Sequence, residues 1–382
     1  MKRVLIVGAG LSGAVLARRL AENNVASLVI DRNDFVGGQC HSRRDAESGV
    51  DIHLFGPHIF NTSNEKVWEF VRRFDRFYPW VNRVKACNSK GVFSFPINLH
   101  TINQLFGVRL NPVEARKFIE SKRDTSITNP ANAEQKLLSM VGYEIYETFF
   151  RGYTIKQWGV APEELPADIV KRIPVRFNYD DNYYFSRYQG FPMSGYTQWI
   201  SNMLQHPLIS VRLSTSYEPD MNAEFVHVFY AGPIDEYFRY SQGELGYRTV
   251  RFKIIRGKFE QQGCGCINYS DLSVPYTRSH EHNYFSPWET HACSVVMQEY
   301  SSESTRDSPK IYPKRMNKDM LILKKYIKLA NKRDKLSFIG RLGCYRYLDM
   351  QQCVAMSLSY ADHWLSWYTG CTPSLERMPV QC

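Results

Sequence analysis

The residues with the most chemical content come first in the chain. An apolar run of β-formers, Val4 to Val7, meets Gly8, Gly10 and Gly13 at G-x-G-x-x-G spacing, with Ser12 inside the motif. Each type has a reason. Gly8 permits the tight turn, Gly10 lets backbone approach a pyrophosphate, and Gly13 lets helix and strand close on one another. The following segment, 14–22, is amphipathic, and its N-terminus would offer unpaired N–H groups and a partial positive charge to phosphates. A second apolar run ends in Asp31, where a carboxylate can accept the hydroxyls of an adenosine ribose. Gly37, Gly38, Gln39 and Cys40 follow at once, a glycine pair typical of FAD proteins. Further candidates are His58, an anion site built from Arg172, Arg176, Tyr183 and Tyr184, and Arg341 in a Gly-Arg-x-Gly turn.

These residues need a scaffold, and the pattern supplies one. A chain of 382 residues with 43% hydrophobic content buries a large core and divides into two or three domains. The net charge of +10 favours anionic partners. Nucleic acid is not expected among them, because the densest basic run, 324–333, alternates with apolar residues as a solvated helix face does. No stretch is long and apolar enough to span a bilayer, and the chain enters its first strand without a leader, so a cytoplasmic protein with no membrane insertion is expected. The nine cysteines are scattered, which argues against a disulfide framework. Cys264 with Cys266, and His280 with His282, lack zinc-site spacing, so no metal is expected.

Along the chain, Thr62 to Glu65 reads as a capping box for a helix that holds the extended loop His58 to Asn61 at its N-terminal end. Residues 81–95 read as strands turning at Asn88 to Gly91, and 98–171 as helices, with Asn111 and Pro112 as N-cap and N1 and a long amphipathic stretch over 133–150. Tyr153, Thr154 and Trp158 fall in a glycine-flanked loop suited to stacking on a base or touching a sugar. Residues 173–188 alternate in strand-like fashion, 226–232 returns to the nucleotide sheet, and 247–300 forms an antiparallel sheet. The run 336–349 is strand, turn and helix start, placing a second helix dipole at the cofactor.

Taken together, the glycine fingerprint, Gly37-Gly38, Gly56-Pro-His58, the run 152–159, the run 171–177, Pro275 to Arg278 and the run 340–349 closely resemble the bacterial UDP-galactopyranose mutases over residues 2 to about 360. The resemblance implies an α/β fold: a FAD-binding Rossmann-like domain (1–84, 196–232 and 314–382), an inserted helical domain (97–171) and a six-stranded antiparallel sheet domain (85–96, 172–195 and 233–313). It implies an isomerase that interconverts UDP-galactopyranose and UDP-galactofuranose for cell-surface glycans. Reduced flavin N5 attacks the anomeric carbon, UDP departs, and the adduct opens and recloses as the furanose, without net redox change. By motif position, Gly8, Gly10, Ser12, Gly13, Asp31, Gly38, Gln39, His58, Arg341, Tyr347, Asp349 and Met350 would hold FAD. Arg172 and Arg278 would hold the diphosphate beside Tyr183, Tyr312 and Tyr347, with His58 third in the catalytic set. Phe149, Phe150, Tyr153 and Asn268 would bind uridine, with Asn82, Thr154, Trp158 and Asn61 completing the substrate site. A homodimer is expected. Two departures from the family pattern, Gln39 for asparagine and Asn61 for histidine, bear on a flavin contact and on sugar identity, and keep UDP-N-acetylgalactosamine or dTDP-fucose open as substrates. A flavin oxidase and a non-catalytic protein of the GDP-dissociation-inhibitor type are the rival readings.

Overall fold

A computed structural model describes residues 3–170 and 174–371. Its strands, numbered in chain order, form four sheets. The first is parallel, in the order β10 (Ile209–Arg212), β2 (Ala26–Ile30), β1 (Arg3–Val7), β11 (Val228–Tyr230), β17 (Leu336–Phe338). Side chains alternate across its faces. Val4 and Ile6 enter a core shared with the helices Leu11–Ala21, Tyr196–Leu204 and Met350–Tyr368, whereas Leu5 enters a second core with Leu323 and Tyr326 of the helix Asn317–Ala330. Cover on both faces is why β1 reads as an unbroken apolar run.

A seven-stranded sheet runs β16 (Tyr312–Pro313), β12 (Tyr247–Gly257), β15 (Ser294–Glu303), β14 (Arg278–Glu281), β13 (Cys266–Tyr269), β7 (Val84–Asn88), β8 (Gly91–Phe95). The family resemblance implied six antiparallel strands. There are seven, and β13 pairs with β7 in parallel, since the two lie far apart in sequence and no tight turn forces them antiparallel. Two smaller sheets join β3 (Ser42–Arg44) to β4 (Asp51–His53), and β5 (Phe60–Thr62) and β6 (Phe77–Pro79) to β9 (Tyr188–Pro192). Helices Leu99–Phe106, Pro112–Lys122 and Ala133–Val141 bury Ile102, Ile119 and Leu137 against Phe93, Phe149 and Phe150. Asn111 caps the second of these, its side chain accepting from Glu114 N at 3.0 Å.

Four local expectations are corrected. Thr62 lies in β5, and Asn64 is the N-cap of the helix Glu65–Val71, accepting from Val67 N at 3.3 Å. The stretch 133–150 is not one helix: it breaks at Gly142, φ +78°, and continues through a π-helical turn, Tyr146–Arg151. The glycine-flanked segment holding Tyr153, Thr154 and Trp158 is a helix, Gly152–Trp158, not a loop. Residues 174–187 form no strand, because side chains there bind the local backbone instead: Asn178 Oδ1 accepts from Asp180 N at 3.2 Å and Asp180 Oδ1 from Asn182 N at 3.0 Å.

Gly13 is the point on which the first βαβ unit closes. A Cβ there would lie 2.0 Å from Gly8 O, a backbone atom that cannot step aside, whereas a Cβ on Gly10 would meet protein no nearer than 3.6 Å. Gly13→Ala is therefore expected to destabilise the ligand-free protein by about 1–3 kcal/mol, and Gly10→Ala by well under that. Urea unfolding of the two variants without added cofactor measures the difference, and equal losses would contradict it.

Candidate active site

One cavity of about 1850 Å³ separates the parallel sheet from the seven-stranded sheet and the helical insertion. Single-ligand pockets hold about 300–1,000 Å³, so there is room for two large ligands end to end. The site residues expected from the sequence line it, except Arg176 and except Arg172, which lies outside the described residues.

At the first end are Gly8, Gly10, Ser12, Gly13, Asp31 and Gly38. The helix Leu11–Ala21 starts here with no side-chain cap and no acid in its first turn, so its N–H groups and positive dipole end face the cavity. Asp31 braces the turn: Oδ2 accepts from Ala9 N at 2.8 Å and Oδ1 from Asn33 N at 2.9 Å. Gly37 N donates to Ala9 O at 3.0 Å, which draws the glycine pair against the fingerprint. The two glycine turns pack backbone on backbone, a Cβ on Gly38 coming within 3.1 Å of Gly10 Cα, and both line the cavity.

In the middle lie Gln39, His58, Arg341, Asp349 and Met350. The Gln39 amide donates to Lys310 O at 2.7 Å and its Oε1 accepts from Arg341 Nη1 at 3.1 Å. Arg341 also donates through Nε to Leu348 O at 3.0 Å, so glutamine at 39 ties three loops together. His58 Nε2 lies 2.6 Å from Gln39 O; a carbonyl only accepts, which fixes the proton on Nε2. Burial lowers the His58 pKa, with the charges of Arg341 and Arg278 reinforcing it, and the ring is neutral at physiological pH. Asp349 caps the helix Met350–Tyr368, accepting from Gln352 N at 2.9 Å.

At the far end stand Asn61, Asn82, Phe149, Phe150, Tyr153, Thr154, Trp158, Tyr183, Asn268, Arg278, Tyr312 and Tyr347. Phe149 and Phe150 are also core residues, 3% and 4% exposed, so only their edges reach the cavity. Tyr312 and Tyr347 stack at 5.6 Å, with the Arg341 guanidinium over both. Burial pushes the Tyr183 and Tyr312 phenols up to about 12, leaving them neutral donors. Asn61 Oδ1 accepts from Ser186 Oγ at 2.9 Å. Arg176, expected in an anion site, is absent from this lining: it is 6% exposed, lies 4.0 Å under Phe185 and donates to Asp180 O. It organises its own loop.

The sequence reading missed Glu299. It faces Arg278 directly across β14 and β15 and is fully buried, accepting from Arg278 Nη2 at 2.7 and 2.8 Å and lying 3.2 Å from His280 Nε2. Burial opposes its ionisation, yet Arg278 and His280 outweigh burial and hold the carboxyl at about 2, while Glu299 keeps the Arg278 guanidinium charged against its own desolvation. A signal did exist: Val295, Met297 and Glu299 share one face of a strand, and an acid at an inward position needs a partner.

Glu299 is depressed from 4.5 to about 2, so its stabilising contribution is complete above pH 4.5 and is lost as pH falls towards 2. Thermal unfolding followed from pH 5 to 2 should show Tm falling steeply for the parent and less so for Glu299→Gln. Equal slopes would show that this carboxylate is not the linked group.

Comparison with known proteins follows the geometry. A family model described as UDP-galactopyranose mutase matches residues 148–347, and one described as an NAD(P)-binding Rossmann-like domain matches residues 6–74. A probable UDP-galactopyranose mutase of Klebsiella pneumoniae is 48% identical over 379 residues, 99% of this chain and 98% of its own. A dTDP-fucopyranose mutase of Escherichia coli is 45% identical over 370 residues, 95% of this chain and 98% of its own. The crystal structure of a reduced UDP-galactopyranose mutase superposes with a TM-score of 0.81 over 100% of this chain and 96% of that one at 16% identity, a likeness of fold.

Proposed function

The chain belongs to the UDP-galactopyranose mutase family, and from that premise we propose that it interconverts the pyranose and furanose forms of a nucleotide-linked sugar, UDP-galactose first, with FAD in the nucleotide end of the cavity and the sugar nucleotide in the other. The observation that carries the reading is the juxtaposition in one cavity of an unencumbered helix N-terminus and a half-buried, charged Arg278. Two anionic groups can be held at once.

FAD suits the residues present. Gly8, Gly10, Gly13 and Gly38 present backbone to the cavity, and Gln39, His58 and Arg341 form a polar wall where a flavin ring would follow. Reduced FAD would supply the nucleophile for the anomeric carbon, so that the sugar ends at its starting oxidation level. The chain's own residues orient and neutralise. Arg278 offers a guanidinium to a departing nucleoside diphosphate, and Tyr183, Tyr312 and Tyr347 add hydroxyl donors. Tyr153, Asn268 and the edges of Phe149 and Phe150 receive the base, and Asn82, Thr154 and Trp158 wall in the remainder. Neutral His58 donates to the Gln39 carbonyl and would itself add no charge beside a bound flavin. Arg172, by its place in the family motif, is assigned a share of the diphosphate. The same reading divides the chain into a FAD-binding part (1–84, 196–232, 314–382), a helical part (97–171) and a sheet part (85–96, 172–195, 233–313), acting in the cytoplasm as a homodimer.

A second sugar is supported by one contact. Asn61 is held by Ser186 on the substrate side, and asparagine both donates and accepts whatever the pH. Together with the similarity to a dTDP-fucopyranose mutase, this makes dTDP-fucopyranose the alternative donor. Selection through one hydrogen-bonded group can be large, since the wrong sugar leaves a buried polar group unpaired.

Turnover should require chemically reduced enzyme under anaerobic conditions while consuming no reductant per cycle. Equal rates for oxidised and reduced protein would remove the reading. Arg278→Ala is expected to lose on the order of 10²-fold in kcat, as for one preorganised donor, and a change confined to KM would assign Arg278 to uniform binding. The ratio of kcat/KM for UDP-galactopyranose and dTDP-fucopyranose, measured in the parent and in Asn61→His, decides between donors: a ratio that shifts by about tenfold or more makes Asn61 a selector, and an unchanged ratio shows that it is not.

A further inference from the structure

Lys156 lies on the helix Gly152–Trp158, between Tyr153 and Thr154 on one side and Trp158 on the other. Its Nζ is surrounded by four backbone carbonyls of a single turn: Tyr269 O at 2.8 Å, Asp271 O at 2.8 Å, Val274 O at 2.9 Å and Tyr276 O at 3.0 Å. All four partners are acceptors, so the nitrogen must supply every hydrogen. An ammonium has three; a neutral amine has two and a lone pair that would face an oxygen. The cage therefore needs the ammonium to be complete, since a neutral amine satisfies at most two of its carbonyls.

The captured turn joins β13 to β14, and those strands carry Asn268 and Arg278 into the cavity. Lys156 thus links the helical wall of the substrate end to the sheet wall. The approach is close along the whole helix. A Cβ on Gly152 would lie 2.1 Å from Ser270 O. At the other end, Arg248 Nε donates to Gln157 O at 2.9 Å and Nη2 to Lys156 O at 3.2 Å, with Ser301 Oγ adding a bond to Gln157 O at 2.7 Å. Two cations hold this helix to the sheet, one through its side-chain cage and one through the helix's own final carbonyls.

We propose that Lys156 is a positioning residue for the sugar-nucleotide site: by caging the 269–276 turn it fixes Asn268 and Arg278 opposite Tyr153, Thr154 and Trp158, and so sets the width of the substrate end of the cavity. The inference rests on the nucleotide-sugar reading for its ligand, but not for its geometry. The charged group facing the amine is Asp271, whose carboxylate accepts from Ser89 N at 2.5 Å. Tyr269 and Tyr276 of the same turn pack edge to face at 4.7 Å with Tyr300 behind them, and burial pushes the Tyr276 phenol up to about 12. Burial brings Lys156 itself down to about 8, with Asp271 opposing. Because this lies below the ordinary 10.5, the folded chain gives up the proton first, and this group's contribution to stability rises rather than falls between about pH 8 and 10.5. Rising pH therefore loosens the cage and weakens ligand binding without lowering Tm.

The test uses the FAD-loaded full chain and Lys156→Met, which keeps the length of the side chain and removes the charge. Hydrogen–deuterium exchange without ligand should quicken in peptides covering 152–158 and 269–278 and stay unchanged in the parallel sheet. UDP affinity, read by quenching of tryptophan fluorescence, should weaken about tenfold at pH 7. Above pH 8 the parent's UDP affinity should fall while that of Lys156→Met stays flat. Lys156→Arg, which retains the charge on a head too broad for the cage, should resemble Lys156→Met. Unchanged exchange in 269–278 overturns the proposal, as do UDP affinities within twofold of one another or parallel pH profiles. A parent that binds no UDP would instead remove the substrate reading, and the exchange arm would still decide the role of Lys156.

Discussion

The structure turns on one buried ion pair. Glu299 has no exposure, and a carboxylate in that position is costly unless its charge is met at once. Arg278, its register partner on the neighbouring strand, meets it by donating through Nη2 to both carboxylate oxygens and through Nε to Oε1. The arrangement is asymmetric. Glu299 is sealed, whereas the Arg278 side chain keeps about a quarter of its surface, 24%, open toward the cavity. The pair therefore neutralises the carboxylate completely and leaves guanidinium donors on the open side. A cation held this way needs no reorganisation when an anion arrives, which is the condition for electrostatic stabilisation of a leaving group.

Much of this was legible in the sequence, for identifiable reasons. The βαβ unit could be read because Gly8, Gly10, Gly13 and Asp31 each satisfy a local backbone requirement, and local requirements are written in local residues. The parallel sheet could be read from apolar runs buried on both faces. The failures have a different origin. Residues 174–187 show strand-like alternation, yet Asn178 and Asp180 bind their own backbone and win over a ladder. The helix Gly152–Trp158 looked like a loop because its flanking glycines were taken as breakers; Gly152 is there to let the helix lie on Ser270 O, and Gly159 ends it with φ +72°. Arg176 carries the right charge for an anion site and points elsewhere, since direction is decided by packing against Phe185.

Glu299 and Lys156 mark the boundary of what a single sequence discloses. Both act through partners at a distance in the chain; Glu299 at least shows as an acid at an inward strand position, whereas nothing in the sequence marks the partners of Lys156. The four carbonyls around Lys156 belong to residues whose side chains are immaterial to the contact. A backbone acceptor has no sequence signature, so cations that read backbone geometry are visible only once the fold is known. Arg248, donating to the carbonyls of Lys156 and Gln157, is a second case on the same helix.

That shared device explains how a wall built from two distant parts of the chain can be narrow and still open. Hydrophobic contact between the helical insertion and the sheet gathers around Phe93, Phe149 and Phe150, the last two reaching the cavity by their edges. More apolar packing there would close the space that the ligands need. Hydrogen bonds from Lys156 and Arg248 to carbonyls hold the separation without filling it, because each fixes one distance along one direction. A net charge of +10, which by itself indicates only a preference for anions, thus includes cations of two kinds at one site: Lys156 and Arg248, whose hydrogen bonds set its walls, and Arg278 and Arg341, which line it and favour the anions that enter.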